Sequence, residues 1–136
     1  MLPLEACSEL LHAHPDFALV VSYNPGARGL KPSTLQRFCA LRFDYPEPET
    51  EAMIVAREAG VELDTASRLV AFGVRTRRLV AHGLDEGAST RMLVHAATLW
   101  RQGVAPLAAC RMAIVTPLTD EADLLEALDA ALAASF

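Results

Sequence analysis

The chain has 136 residues, 52% of them hydrophobic, and a net charge of −5, so it can bury a real core and is not a disordered composition. The negative balance argues against a nucleic-acid surface, and three widely spaced cysteines, Cys7, Cys39 and Cys110, with no C-x-x-C pair, argue against a disulfide framework or a zinc site. Aromatics are only 6% while alanine and leucine are plentiful, which favours helices packed through small residues over a β-sandwich. No apolar run approaches the length of a bilayer span and no secretory leader pattern is present, so a soluble cytoplasmic protein is expected.

Leu2 to Glu5 reads as a brief extended piece, and Ala6 to Ala13 as a helical turn or loop broken by His14-Pro15-Asp16. His12 and His14 form an H-x-H pair with no cysteine or carboxylate set nearby in sequence to complete a site, so surface histidines are the ordinary reading. Phe17 to Val21 is a short continuous run rich in β-branched and aromatic residues, the pattern of a strand buried on both faces. Ser22, Tyr23 and Asn24 place polar groups at its C-terminal end, the edge at which open α/β sheets hold ligands, and Pro25-Gly26 turns the chain away. On the residues alone Asn24 reads first as the residue that stabilises the Asn-Pro-Gly turn. Beyond Arg28 and Lys31, Ser33 with Gln36 has the capping-box spacing and predicts a short helix carrying Arg37. Ala40 to Phe43 then reads as a second strand.

Asp44-Tyr45-Pro46-Glu47-Pro48 is the clearest boundary, since two prolines disfavour helix before them while Glu49 and Glu51 favour a helix start after them. Gly60 is placed to end that helix. Asp64 caps a second one with Ala66, Leu69, Val70 and Val74 at helical spacing. Arg75, Arg77 and Arg78 near its end read as a solvated helix terminus or a subunit contact. Val80 to Ala88 is a loop marked by Gly83 and Gly87. Ser89 or Thr90 caps a third helix ending at Gly103, and Pro106 opens a fourth running through Cys110 towards Ile114. Thr119 precedes an acidic first turn of Asp120, Glu121 and Asp123 in a last helix striped by Leu124, Leu125, Leu128 and Leu132.

Five blocks in order, SYNPG, LKPSTLQRF, LRFDYP, HGLDEGASTRMLV and TPLTD, resemble the C-terminal half of the CbbQ/NirQ/NorQ group of MoxR-type AAA+ ATPases. The fold implied is an α/β fragment followed by a mainly α-helical lid: 1–46 would be the C-terminal part of the αβα nucleotide-binding core, and 47–136 the lid. Both the Walker A and Walker B elements of a P-loop NTPase are absent. G-x-x-x-x-G-K-S/T does not occur; Gly26, Gly29 and Lys31 have the wrong spacing, and Asp85-Glu86 lies in a glycine-flanked loop and not at a strand end.

The resemblance implies roles for three residues. Asn24 matches sensor 1, which orients the attacking water, and Arg37 matches the arginine finger projected into a neighbouring subunit's site, with Arg28 as a rival. Arg91 matches sensor 2, a lid arginine reaching the phosphates. A cation at a helix start opposes the macrodipole, a small cost that a purely structural design would avoid. His82 and His95 are read as structural. ATP and Mg2+ are implied for a full-length parent, with neither held tightly by this chain alone, and no metal site is expected here. A homo-hexamer, a von Willebrand factor A-domain partner and a client such as Rubisco or nitric oxide reductase are implied in the same way, with no nucleic acid and no membrane span. The short Ala27-Arg28-Gly29 loop departs from the family pattern, and bears on oligomer contacts or partner specificity more than on the fold. The competing reading is a non-catalytic helical domain that docks to an AAA+ ring or to its client.

Overall fold

The computed structural model describes residues 2–4, 9–23 and 30–136 and separates into two units, Met1–Ala40 and Leu41–Phe136. In the first unit β1 (Leu2–Leu4) pairs antiparallel with β2 (Glu9–Leu11), Leu2 opposite Leu11 and Leu4 opposite Glu9. The helical turn or loop expected over 6–13 is therefore corrected at residues 9–11, which form a strand. Phe17 to Val21 is not a strand here: these residues have no regular structure, and Val20 is 91% exposed. The physical reason is non-local. A strand buried on both faces needs ladder partners on its two sides, and among the described residues the one sheet is the hairpin itself, β1 on β2. Ala40 to Phe43 likewise forms no strand, with Phe43 88% exposed.

α1 (Pro32–Leu35) begins one residue before the expected cap. Lys31, held extended (ψ 143°) by the proline after it, occupies the N-cap, and Pro32 takes the first helical position, where its missing N–H costs nothing. Ser33 is inside the helix and makes no capping bond. Arg37 follows in the closing turn, its amide donating to the Thr34 carbonyl at 3.0 Å, with its side chain exposed. Asn24, the Pro25-Gly26 turn, Arg28 and the short 27–29 loop lie outside the described residues.

The second unit is helical, and its punctuation follows local chemistry. Pro48 opens α2 (Pro48–Ala59), and Gly60 ends it at φ 67°, a left-handed cap natural to glycine. α3 (Leu63–Arg78) starts after Glu62, so Asp64 sits in the first turn and is not the cap. A 3-10 turn over Leu79–His82 follows. α4 (Thr90–Arg101) is capped by Ser89, whose Oγ accepts the Met92 amide at 3.4 Å. α5 (Pro106–Cys110) runs on through a π turn, Arg111–Val115, into α6 (Thr116–Leu118), and α7 (Ala122–Ala133) closes the chain. The wide turn has a cause in Pro117. It offers no amide to the ladder and its ring crowds the preceding carbonyls, and the Thr116 amide reaches back to Arg111 O.

Phe72, Leu69, Leu93, Ile114, Leu128 and Leu132 are fully buried. Each stabilises the unit by about 1.5–3 kcal/mol relative to exposure. Burial also pushes the Cys110 thiol up to about 12, which leaves it a neutral packing group at neutral pH. The C-terminal end of α7 is fastened by two α3 arginines. Arg75 Nη1 donates to the Ala131 carbonyl and to Ser135 Oγ, while Arg68 donates to the Phe136 carbonyl and lies over the Phe136 and Trp100 rings. Cations at a helix C-terminus suit its dipole. Among the described residues no helix is long and apolar enough to cross a membrane.

Candidate functional site

The second unit is organised around one buried ion pair. Glu51, in the first turn of α2, is wholly buried, and Arg77, at the end of α3, exposes only 13% of its side chain. Arg77 Nη2 donates to Glu51 Oε1 at 2.6 Å and Nη1 to Oε2 at 2.7 Å, a fork-to-fork contact. Thr90 Oγ1, at the start of α4, donates a third bond to Oε1 at 2.7 Å. The carboxylate thus joins three helices, and no buried side-chain polar atom among the described residues is left without a partner.

The remaining donor of Arg77 holds the loop that leads into α4. Its Nε donates to the Ala88 carbonyl at 2.9 Å, while the Ala88 amide donates to Thr76 Oγ1 at 2.9 Å. Thr76 Oγ1 in turn donates to the Gly73 carbonyl at 2.8 Å. Neighbouring side chains of α3 therefore satisfy both backbone groups of one buried loop residue. Gly87 allows the approach: a Cβ there would fall 2.5 Å from Arg77 Cα and 2.5 Å from its Cγ. The Tyr45 ring covers the guanidinium, its centroid 3.7 Å from Arg77 Cζ, and its hydroxyl donates to the Gly87 carbonyl at 3.4 Å.

This frame ends at Ser89, Thr90 and Arg91. Ser89 caps the helix and Thr90 turns inward to Glu51, so the cap is settled in favour of Ser89. Arg91, on the exposed side of the same turn, has no hydrogen-bond or ion-pair partner among the described residues. Arg37 is exposed in the other unit, and Asn24 lies outside the described residues. His82 and His95 are both exposed. His14 lies 3.6 Å from Asp16, both exposed, and no group of three metal-ligating side chains occurs among the described residues.

The basic cluster at the end of α3 needs correcting. Arg75 fastens α7 and Arg77 holds the buried pair, so of the three only Arg78 is a solvated cation. Helical spacing contains the missed signal. Glu51 shares its face of α2 with the buried Val55 and Ala59, and Arg77 lies on the stripe of the buried Ala66, Val70 and Gly73. Two opposite charges, each on an apolar face, mark a buried pair.

Residues 51–135, the span from the buried glutamate to two residues past α7, match the family model described as CbbQ/NirQ/NorQ C-terminal. The chain belongs to this family. It is 54% identical over 135 residues to the protein CbbQ of Hydrogenophilus thermoluteolus, covering 96% of this chain and 51% of that relative. To the denitrification regulatory protein NirQ of Pseudomonas aeruginosa it is 51% identical, covering 93% of this chain and 50% of the relative. To NorQ of Paracoccus denitrificans it is 44% identical, with 100% and 52% covered. The chain spans about half the length of the curated CbbQ, NirQ and NorQ relatives it matches.

Proposed function

We propose that this chain is the sensor-bearing end and helical lid of a MoxR-type AAA+ ATPase chaperone, coupling ATP hydrolysis to the activation or remodelling of a client. In this reading 1–46 completes an αβα core and 47–136 forms the lid. One observation carries it: Arg91 is an unpartnered cation on the outer side of a helix start whose cap, loop and inner face are all fastened to the body. A guanidinium there opposes the helix dipole and gains nothing from a local partner, so its use lies in an anion from outside the unit.

The residues of this chain do not by themselves fit ATP with Mg2+, since the sequence contains neither the phosphate cradle nor the strand-end acid pair. The nucleotide and its metal therefore belong to the part of the relatives that the chain does not span, and alone it is expected to be inactive. Arg91 would then act as sensor 2, Arg37 as a trans-acting finger and Asn24 as sensor 1, in a cytoplasmic hexameric ring with a von Willebrand factor A-domain partner. Rubisco or nitric oxide reductase is the kind of client proposed.

The test is a chimera in which the N-terminal half of the Hydrogenophilus CbbQ precedes this chain. Arg91→Ala and Arg37→Ala are each expected to lower ATP turnover by about 10- to 100-fold with unchanged thermal unfolding. Turnover at the level of the parent chimera would remove that residue's assignment. A second reading, a non-catalytic docking domain, is favoured by an open apolar cleft between α2 and α3, lined by Ala52, Met53, Leu63, Ser67 and Glu49. It predicts that neither variant changes turnover.

A further inference from the structure

Tyr45 is the residue of the stretch 41–47 whose side chain grips the buried frame. The stretch 41–47 has no regular structure, its Leu41 and Phe43 are exposed, and it follows directly on the boundary after Ala40. Tyr45 is also exposed, at 49%, but its side chain has partners. Arg77 Cζ lies over its ring, 3.7 Å from the centroid, and its hydroxyl reaches the Gly87 carbonyl. Pro46 follows with a fixed φ and Pro48 opens α2, so little slack separates the ring from the helix that carries Glu51.

We infer that Tyr45 is a positioning residue, a latch through which the stretch joining the units sets the loop 84–89 and, with it, the start of α4 and Arg91. The path of contacts is continuous. Tyr45 covers Arg77; Arg77 holds both Glu51 and the Ala88 carbonyl; Ala88 is followed at once by the Ser89 cap and the Thr90 bond to Glu51. A guanidinium covered by a ring on one side and forked onto a carboxylate has little freedom to turn. With the ring removed, water reaches the covered side of Arg77 and competes for its bonds, and the bond to the Ala88 carbonyl is single where the contact with Glu51 has two arms. Displacement of Tyr45 would therefore be felt at Arg91, which rests for its purpose on the nucleotide reading above but not for its mechanics.

Amide hydrogen exchange of the 136-residue chain tests the mechanics without nucleotide. Tyr45→Ala is expected to speed exchange at Ala88 and Met92 by about tenfold or more while Phe72 and Val55 keep their protection, as for a local opening. Tyr45→Phe, which keeps the ring, is expected to exchange like the parent. Unchanged exchange at Ala88 and Met92, or an equal rise throughout α3 and α4, overturns the latch. In the chimera, Tyr45→Ala should lower kcat/KM for ATP in the same direction as Arg91→Ala, and Tyr45→Phe should restore it. A fall with Arg91→Ala but none with Tyr45→Ala overturns the positioning role. If Arg91→Ala itself has no effect, the nucleotide reading has failed, and exchange alone decides the latch.

Discussion

Glu51→Ala is expected to destabilise the helical unit by about 3–5 kcal/mol, a large share of the stability of a domain this size. The substitution leaves the Arg77 guanidinium, 13% exposed, with two donors unpaired in a site closed by Tyr45, and frees the Thr90 hydroxyl as well. The penalty comes from the abandoned charge and not from the worth of the pair, because two ions taken out of water repay little more than their desolvation. Replacing both partners, as in Glu51→Leu with Arg77→Met, should therefore recover much of the loss while releasing the loop at Ala88. Arg111 and Asp129 provide the contrast: their 2.9 Å contact lies at the surface, and Arg111→Ala should cost about 0–1 kcal/mol. Urea unfolding measures both. A Glu51→Ala midpoint close to that of Arg111→Ala would show that the buried pair is not what joins α2, α3 and α4.

Gly87→Ala should be the most damaging change of a single methyl group, at about 2–4 kcal/mol. Its Cβ would fall 2.5 Å from Arg77 Cα and 2.9 Å from Arg77 N, atoms of a helix backbone that cannot swing aside as a side-chain tip would. The loop must lift instead, which strains the 2.9 Å bonds on both sides of Ala88. Gly83→Ala is the control. That residue is also near the loop, with φ 108° but nothing within 4 Å of its added Cβ, so it should show backbone strain of about 1–2 kcal/mol and leave the bonds at Ala88 in place. Equilibrium unfolding separates the two, and equal losses would mean that contact with Arg77 is not the reason for a glycine at 87.

Most of the helical unit was legible because its signals are local. Gly60, Ser89, Gly103 and Pro106 each sit within a residue or two of the boundary they set, and the leucine stripe of α7 repeats on a helical period. Features requiring a distant partner were misread. Phe17 to Val21 has the composition of a buried strand, yet composition does not supply neighbouring strands, and the described residues offer none to it. Ser33 lost the cap of α1 to the adjoining proline, a competition between two local signals in which the ring's fixed φ prevailed. Arg77 looked like a solvated helix end because its carboxylate lies 26 residues away. The family block over 82–94 includes Gly87, Ala88 and Thr90, but their partners Glu51, Thr76 and Arg77 lie outside it, so the frame is not readable from the block alone.

Mg-ATP turnover, measured on this chain alone and again on the chimera that supplies the N-terminal half of the Hydrogenophilus CbbQ, decides whether the chain completes an ATPase. No turnover is expected from the chain alone and steady turnover from the chimera. Turnover by the chain alone, or a folded chimera that does not hydrolyse ATP, would contradict this reading.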